Sequence, residues 1–278
     1  MLVLDFDGTV TDAEQEGRPY RDGYLGDLAV LTGRPPAEIA AMAKRFESEV
    51  AAQPDRHGWR FGDHIVAPAM VDPYLRIMPV ARKILDACDA FREREERARL
   101  LDGILYKYNY QKTEIAFRPG ARELLLALAE RSIPVHVVTN SHTEPVQNKI
   151  RSLAHGNEFD WLIARVHGRA KKYVIDPGFT AVAEAMNIAG LSRPILLRRR
   201  HYHDVLRGLL DSAGEDWSDL VVIGDIFELD LALPLTLGAR IGLVCNDFTP
   251  AYEREFVGAH PRGRLIAELA EVIEVASA

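Results

Sequence analysis

Residues 1–12 read "MLVLDFDGTVTD": an apolar run from Met1 to Leu4 leads straight into Asp5 and Asp7, then Gly8, Thr9 and a further acid at Asp12. A short apolar run closed by a turn signal is the pattern of a strand buried on both faces. Carboxylates at its end are costly to bury unless a cation or hydrogen bonds compensate them. Two further runs share the design. "PVHVVTNS" (134–141) ends in Thr139, Asn140 and Ser141, and "LVVIGD" (220–225) ends in Asp225, with Asp230 just beyond. Residues at the carboxyl ends of parallel strands converge on one crevice, where ligands bind. Aspartates gathered there repel one another, and a divalent cation is the natural compensation. Magnesium suits oxygen donors shared with a substrate phosphate.

Working outward, weaker strands are expected at Trp161–Ala164, Ile195–Leu197 and Arg240–Val244, alternating with helices near 119–131, 143–154, 202–213 and 227–237. Such alternation predicts an α/β fold with a doubly wound parallel sheet. Residues 14–115 read differently. "PPAEIAAMAKRFESEVAAQ" and "PVARKILDACDAFREREERARLLDGILYKYN" carry apolar residues at three- and four-residue spacing, with prolines at the expected helix starts. The expected organisation is a core of 1–13 and 116–278, interrupted by an α-helical insertion over 14–115.

The 278 residues are 47% hydrophobic and 27% charged, enough for a core and an inserted domain. A formal charge of −7 argues against a nucleic-acid binder, which needs a positive field to release counterions. Cys88 and Cys245 form no metal-ligand spacing, and no His/Cys pattern fits zinc. They read as core thiols in a reducing compartment. The N-terminus lacks a basic segment followed by a long apolar run, so a cytoplasmic protein without a membrane partner is expected.

"DFDGTVTD", "VVTNS" and "VIGDIFELD", in this order and each after an apolar strand, resemble the first, second and fourth motifs of the haloacid dehalogenase-like (HAD) hydrolase superfamily. The insertion resembles the helical C1-type cap of its phosphatase-type members. The resemblance implies a HAD-type Rossmann-like core and Mg2+-dependent hydrolysis of a small phosphomonoester, a phosphorylated metabolite, through an aspartyl-phosphate. It implies Asp5 as nucleophile and Asp7 as the acid that protonates the leaving oxygen and then activates water. Asp5, the Asp7 backbone carbonyl and Asp225 would hold Mg2+, with Asp230 supporting them, while Thr139 and the Asn140 backbone N–H would bind phosphoryl oxygens. A phosphomutase shares these motifs, and a catalytically silent binding protein shares the fold.

The third motif of the superfamily is a basic residue that neutralises nucleophile and phosphate. Counting from Phe159-Asp160, taken as the start of the third strand, reaches Lys171 and Lys172, of which Lys171 is preferred because a small residue precedes it and Lys172 is the alternative. Counting back 25 residues from Asp225 gives Arg200. The basic stretch "RRRHYH" (198–203) reads either as a solvated helix start or as a selector of acidic substrates. His136 reads as a sheet-face residue, and Glu228 as an acid at a helix start or in the outer shell of a metal. Trp59, Arg60, Tyr74, Tyr106 and Tyr108 are the expected cap residues facing substrate.

Overall fold

The computed structural model describes residues 1–131 and 133–277. Two compact units emerge: Met1–Asp12, Phe61–Ala67 and Phe117–Ala278 form the first, and Ala13–Arg60 with Pro68–Ala116 the second.

The first unit is built on a parallel sheet. Its strands are β1 (Leu2–Leu4), β4 (Val135–Val138), β5 (Val166–His167), β8 (Val221–Gly224), β9 (Arg240–Val244) and β10 (Gly263–Ile266), in the order β10-β9-β8-β1-β4-β5. Leu2, Val3 and Leu4 align with Val135, His136 and Val137 on one side and with Val221, Val222 and Ile223 on the other. The chain winds outward from β1 to β5, then crosses back to build β8, β9 and β10 on the opposite side. The topological switch therefore lies between β1 and β8, where a crevice opens at the strands' carboxyl ends.

Strand alternation divides the core into two layers. Leu2, Leu4, Val135, Val137, Val221 and Ile223 pack with Leu124 and Leu128 of α6 (Ala121–Ala129), Val146 and Ile150 of α7 (Thr143–Leu153), Leu162 of α8 (Asp160–Ile163) and Val272 of α12 (Glu271–Ser277). Val3, Val138, Val222, Ile241 and Leu243 face the other way. They meet Leu206 and Leu210 of α9 (Arg200–Ala213), Leu233 of α10 (Ala232–Leu237) and Val257 of α11 (Ala251–Ala259). Full burial of each such side chain contributes about 1.5–3 kcal/mol, which fixes the register that sets the strand ends.

Two expected strands are corrected. Trp161–Ala164 lies mostly in the helical turn α8, because the Leu162 and Ile163 N–H groups both donate to Phe159 O at 3.0 Å. Phe159 and Leu162, three residues apart, then both reach the core. Phe159-Asp160 accordingly opens a helical turn, and the strand follows at Val166. Ile195–Leu197 contains β7 (Ile195–Leu196), which pairs antiparallel with β6 (Ala185–Met186) outside the main sheet. Strand β10 was not expected: only Gly263 and Ile266 of its four residues are buried, as befits an edge.

In the second unit, α1 (Ala13–Thr32), α2 (Pro36–Ala51) and α3 (Pro73–Ala87) bury Tyr20, Tyr24 and Leu28, Ile39 and Ala43, and Ile77, Val80, Ala81 and Ile84 around one core. The three- and four-residue spacing puts each set on one helix face. Helix α3 starts at Pro73 rather than Pro79, because the Asp72 carboxylate accepts the Tyr74 and Leu75 N–H groups at 2.7 and 3.0 Å. Pro79 lies inside the helix. Asp89 and Phe91 adopt φ of +54° and +49°, separating α3 from α4 (Arg94–Ala98). A π-helical turn, Arg99–Leu105, leads into α5 (Tyr106–Tyr110). Tyr20, Tyr74, Tyr106 and Tyr110 pack ring against ring, with Tyr106 and Tyr110 stacked at 5.7 Å. The insertion is not wholly helical: β2 (Gly58–Phe61) and β3 (His64–Pro68) form a hairpin whose tip groups with the first unit. No helix among the described residues is long and apolar enough to cross a membrane.

Candidate active site

Beyond Leu4 the Asp5 N–H donates to Ile223 O at 2.8 Å, extending the ladder so that Asp5 stands at the switch point. The chain then turns back on itself, with the N–H groups of Thr9, Val10 and Thr11 all directed at Phe6 O. Gly8 makes this possible. Its φ is +86°, and a Cβ there would lie 2.2 Å from Asp225 Oδ2, so any side chain would collide with the site. Thr9 Oγ1 lies 3.3 Å from both Asp5 Oδ2 and Asp225 Oδ1, tying the ends of β1 and β8 together.

After Asp225 a π-helical turn, Phe227–Leu231, brings Asp230 back toward the crevice. The Ile226 N–H donates to Asp230 Oδ2 at 3.1 Å, and Tyr202 OH donates to the Asp230 carbonyl at 2.8 Å. One carboxylate oxygen from each of Asp5, Asp225 and Asp230 lies within 4.8 Å of the others. Each of these side chains is buried.

A lysine enters this cluster, but not the preferred one. Lys172 Nζ donates to Asp5 Oδ1 at 2.6 Å and Asp230 Oδ1 at 2.8 Å, with 1% of its side chain exposed. Lys171 is exposed, at φ +49°. Its left-handed backbone turns the chain so that the next residue, rather than Lys171 itself, points inward. Arg200 also lies outside the cluster, paired with Asp176 and packed over Phe179. The count from Phe159-Asp160 reaches the right pair of lysines; the preference for Lys171 within it, based on the small residue Ala170 before it, is what the structure corrects.

Burial pushes the Asp5 carboxyl up to about 7, against the opposing pull of the Lys172 ammonium. Burial would lower Lys172, but Asp230 and Asp5 outweigh it and hold the ammonium above its ordinary value. Three carboxylates against one ammonium leave a formal charge matching one divalent cation. All the acidic donors are oxygens, so the chemistry of the set fits Mg2+.

Thr139 and Asn140 follow β4 beside β1, as expected from the sequence. Thr139 is buried, and its Oγ1 accepts the Ser141 N–H at 3.1 Å. The Asn140 side-chain oxygen accepts the Lys172 backbone N–H at 2.7 Å, so the second motif orients the third. Asp7, two residues past Asp5 and 32% exposed, pairs through Oδ1 with Lys149 Nζ of α7 at 2.8 Å.

Sequence reasoning missed two cations. Arg199 is fully buried and donates from Nε to Leu196 O at 3.0 Å, from Nη1 to Lys172 O, and from Nη2 to Val66 O at 3.1 Å. Burial lowers its guanidinium to about 10, leaving it a cation at neutral pH. The signal was visible only as an arginine between the core residues Leu197 and Tyr202. Lys149 carried no signal beyond standing next to the apolar position Ile150. The stretch 198–203 is thus no uniform basic patch: Arg198 and Arg200 bind protein acceptors on either side of a buried Arg199. Glu228 is buried in a two-point pair with Arg193, Oε2 to Nη1 at 2.8 Å and Oε1 to Nη2 at 2.6 Å. His136 sits in β4 with its Nδ1 3.1 Å from His167 Nε2 on β5.

A family model described as haloacid dehalogenase-like hydrolase matches residues 1–232. No curated protein matches the chain. Among solved structures, the Bacillus subtilis HAD-hydrolase YfnB, bound to magnesium, is 14% identical with a TM-score of 0.52, the alignment covering 100% of this chain and 98% of that one. A conserved haloacid dehalogenase-like protein of Agrobacterium tumefaciens is 11% identical with a TM-score of 0.52, covering 99% and 96%. A predicted phosphoglycolate phosphatase of Haemophilus somnus is 13% identical with a TM-score of 0.50, also covering 99% and 96%. These likenesses establish a shared fold.

Proposed function

Since the chain belongs to the haloacid dehalogenase-like hydrolases, we propose that it hydrolyses a small phosphomonoester with Mg2+, through a covalent phosphoryl-Asp5 intermediate. The observation carrying this reading is Asp7, a second carboxylate two residues past Asp5, beside the Asp5–Lys172–Asp230 cluster. A dehalogenase would use an Asp5-type nucleophile but has no leaving oxygen to protonate, so it has no need for that acid.

Asp5, the Asp7 backbone carbonyl and Asp225 would hold the cation, with Asp230 oriented by Ile226 and Lys172 in support. When bound, the cation neutralises the phosphoryl group and polarises it. An Asp5 oxygen attacks phosphorus, the bond to the ester oxygen breaks, and Asp7 supplies the proton that the leaving oxygen takes up. Asp7 then accepts a proton from water as water's oxygen attacks the same phosphorus, releasing Asp5 and inorganic phosphate. Lys172 keeps Asp5 ionised for attack, and the Thr139 hydroxyl with the Asn140 N–H binds phosphoryl oxygens. Excluding water from such a site strengthens every one of these interactions.

The test is phosphate release from a panel of phosphomonoesters with and without Mg2+. Turnover that requires Mg2+ and falls by about 10⁴-fold or more in Asp5→Asn is expected. Turnover persisting in that variant, or release of halide from a haloacid instead, would sink the proposal.

A further inference from the structure

The cation at Asp7 has no role in the chemistry above. Lys172 already serves the nucleophile, and the acid–base step needs no second ammonium. Lys149 is nonetheless firmly placed. Val146 and Ile150 seat α7 in the core, and the lysine side chain between them is only 20% exposed, with its Nζ 2.8 Å from Asp7 Oδ1. Among the described residues Asp7 Oδ2 makes no hydrogen bond. A group that hands a proton to the leaving oxygen must come within about 2.6–3.2 Å of it, which brings Lys149 Nζ to on the order of 6 Å from the same oxygen. Less the roughly 2.8 Å of an ammonium–anion contact, that leaves about 3 Å, the span of two or three bonds along the leaving group.

Building on the phosphohydrolase reading, we infer that Lys149 is a specificity-determining residue that receives an anionic group on the leaving portion of the substrate. The preferred esters carry a carboxylate or a second phosphate within a few bonds of the ester oxygen. The ammonium serves as a point charge, suited to either anion. A purely structural Lys149, one that only holds Asp7 in place, would lower the rate on every ester alike.

The test compares glycerate 2-phosphate with glycerol 2-phosphate, which differ by a carboxylate in place of a hydroxymethyl group. With Mg2+ and the intact protein, kcat/KM should favour the carboxylate ester by about tenfold or more, the size of one charge-assisted contact. In Lys149→Gln the preference should collapse to within about threefold of unity, mainly through KM for the anionic ester, while Lys149→Arg retains most of it. No preference in the intact protein, or equal losses on both esters through kcat, would overturn the inference.

Calorimetric binding of both esters to Asp5→Asn, with and without Lys149→Gln, separates this inference from the reading beneath it. A Lys149-dependent preference in binding without Asp5-dependent turnover of either ester upholds the anion site and removes the phosphohydrolase. Turnover without any Lys149-dependent preference does the reverse.

Discussion

Under the proposed mechanism Asp5 carries opposing demands: as the nucleophile it must be ionised, yet burial favours its neutral form and brings its pKa to about 7. Proton and metal would then compete for the same oxygen. If Asp5 holds Mg2+ as proposed, binding should be full above about pH 7, and below it each unit should weaken apparent affinity by up to about tenfold. Titration calorimetry at pH 5.5, 6.5 and 7.5 checks this, and an affinity flat across that range would show that burial does not govern Asp5. Lys172→Met should cost at least about 10²-fold in kcat, whereas Lys171→Met at an exposed position should cost less than about threefold. Steady-state kinetics on the two variants decides between the neighbours. The sequence made Asp5, Asp7 and Asp225 legible, because polar residues closing a doubly buried strand have few other reasons to be there. It did not distinguish Lys171 from Lys172, since that choice turns on a single left-handed backbone angle.

Among the elements, the strands buried on both faces were readable from their apolar runs, and the marginal ones were not. Phe159 to Ala164 has the composition of a strand, but its apolar residues at three-residue spacing fit a helical turn equally well. Glu228 and Arg193 show how the π-helical turn carrying Asp230 is secured: a fully buried carboxylate is bound at two points by the Arg193 guanidinium. Arg193→Met should destabilise the protein by about 3–5 kcal/mol in urea unfolding, because it leaves that charge buried and unpaired. Replacing both partners by apolar residues should cost much less. Glu253 of α11 lies fully buried near this pair, with neither carboxylate oxygen in a well-formed hydrogen bond among the described residues. Burial first, and then the nearby Glu228, raise its pKa well above the ordinary carboxylate value. The folded protein thus holds a proton that the unfolded chain releases above its own carboxylate pKa, and stability falls as pH rises through that window. Glu253→Gln removes the dependence. Its thermal melt should exceed that of the parent at pH 8, and the gap should close toward pH 4.

At the scale of the molecule, separate apolar clusters support the two units, one pair of layers around the sheet and another core among α1, α2 and α3. Scanning calorimetry should therefore resolve more than one transition, with Mg2+ raising only the one belonging to the sheet unit. At 100 times its dissociation constant, the cation should add about 2.7 kcal/mol to that unit. A single transition shifted as a whole would show that the units melt together. The chain passes between these units at residues 12/13, 60/61, 67/68 and 116/117, rather than at only two places. For anyone trimming the gene, those crossings matter. Excising 13–116 in one cut would also discard Val66, whose carbonyl takes one of the buried Arg199 donors, and the same guanidinium steadies the backbone of Lys172. A shortened protein that keeps 61–67, spliced by flexible linkers, should retain an ordered Asp5–Lys172–Asp230 cluster, whereas one that lacks them would carry its fault into that cluster from the far end of an arginine.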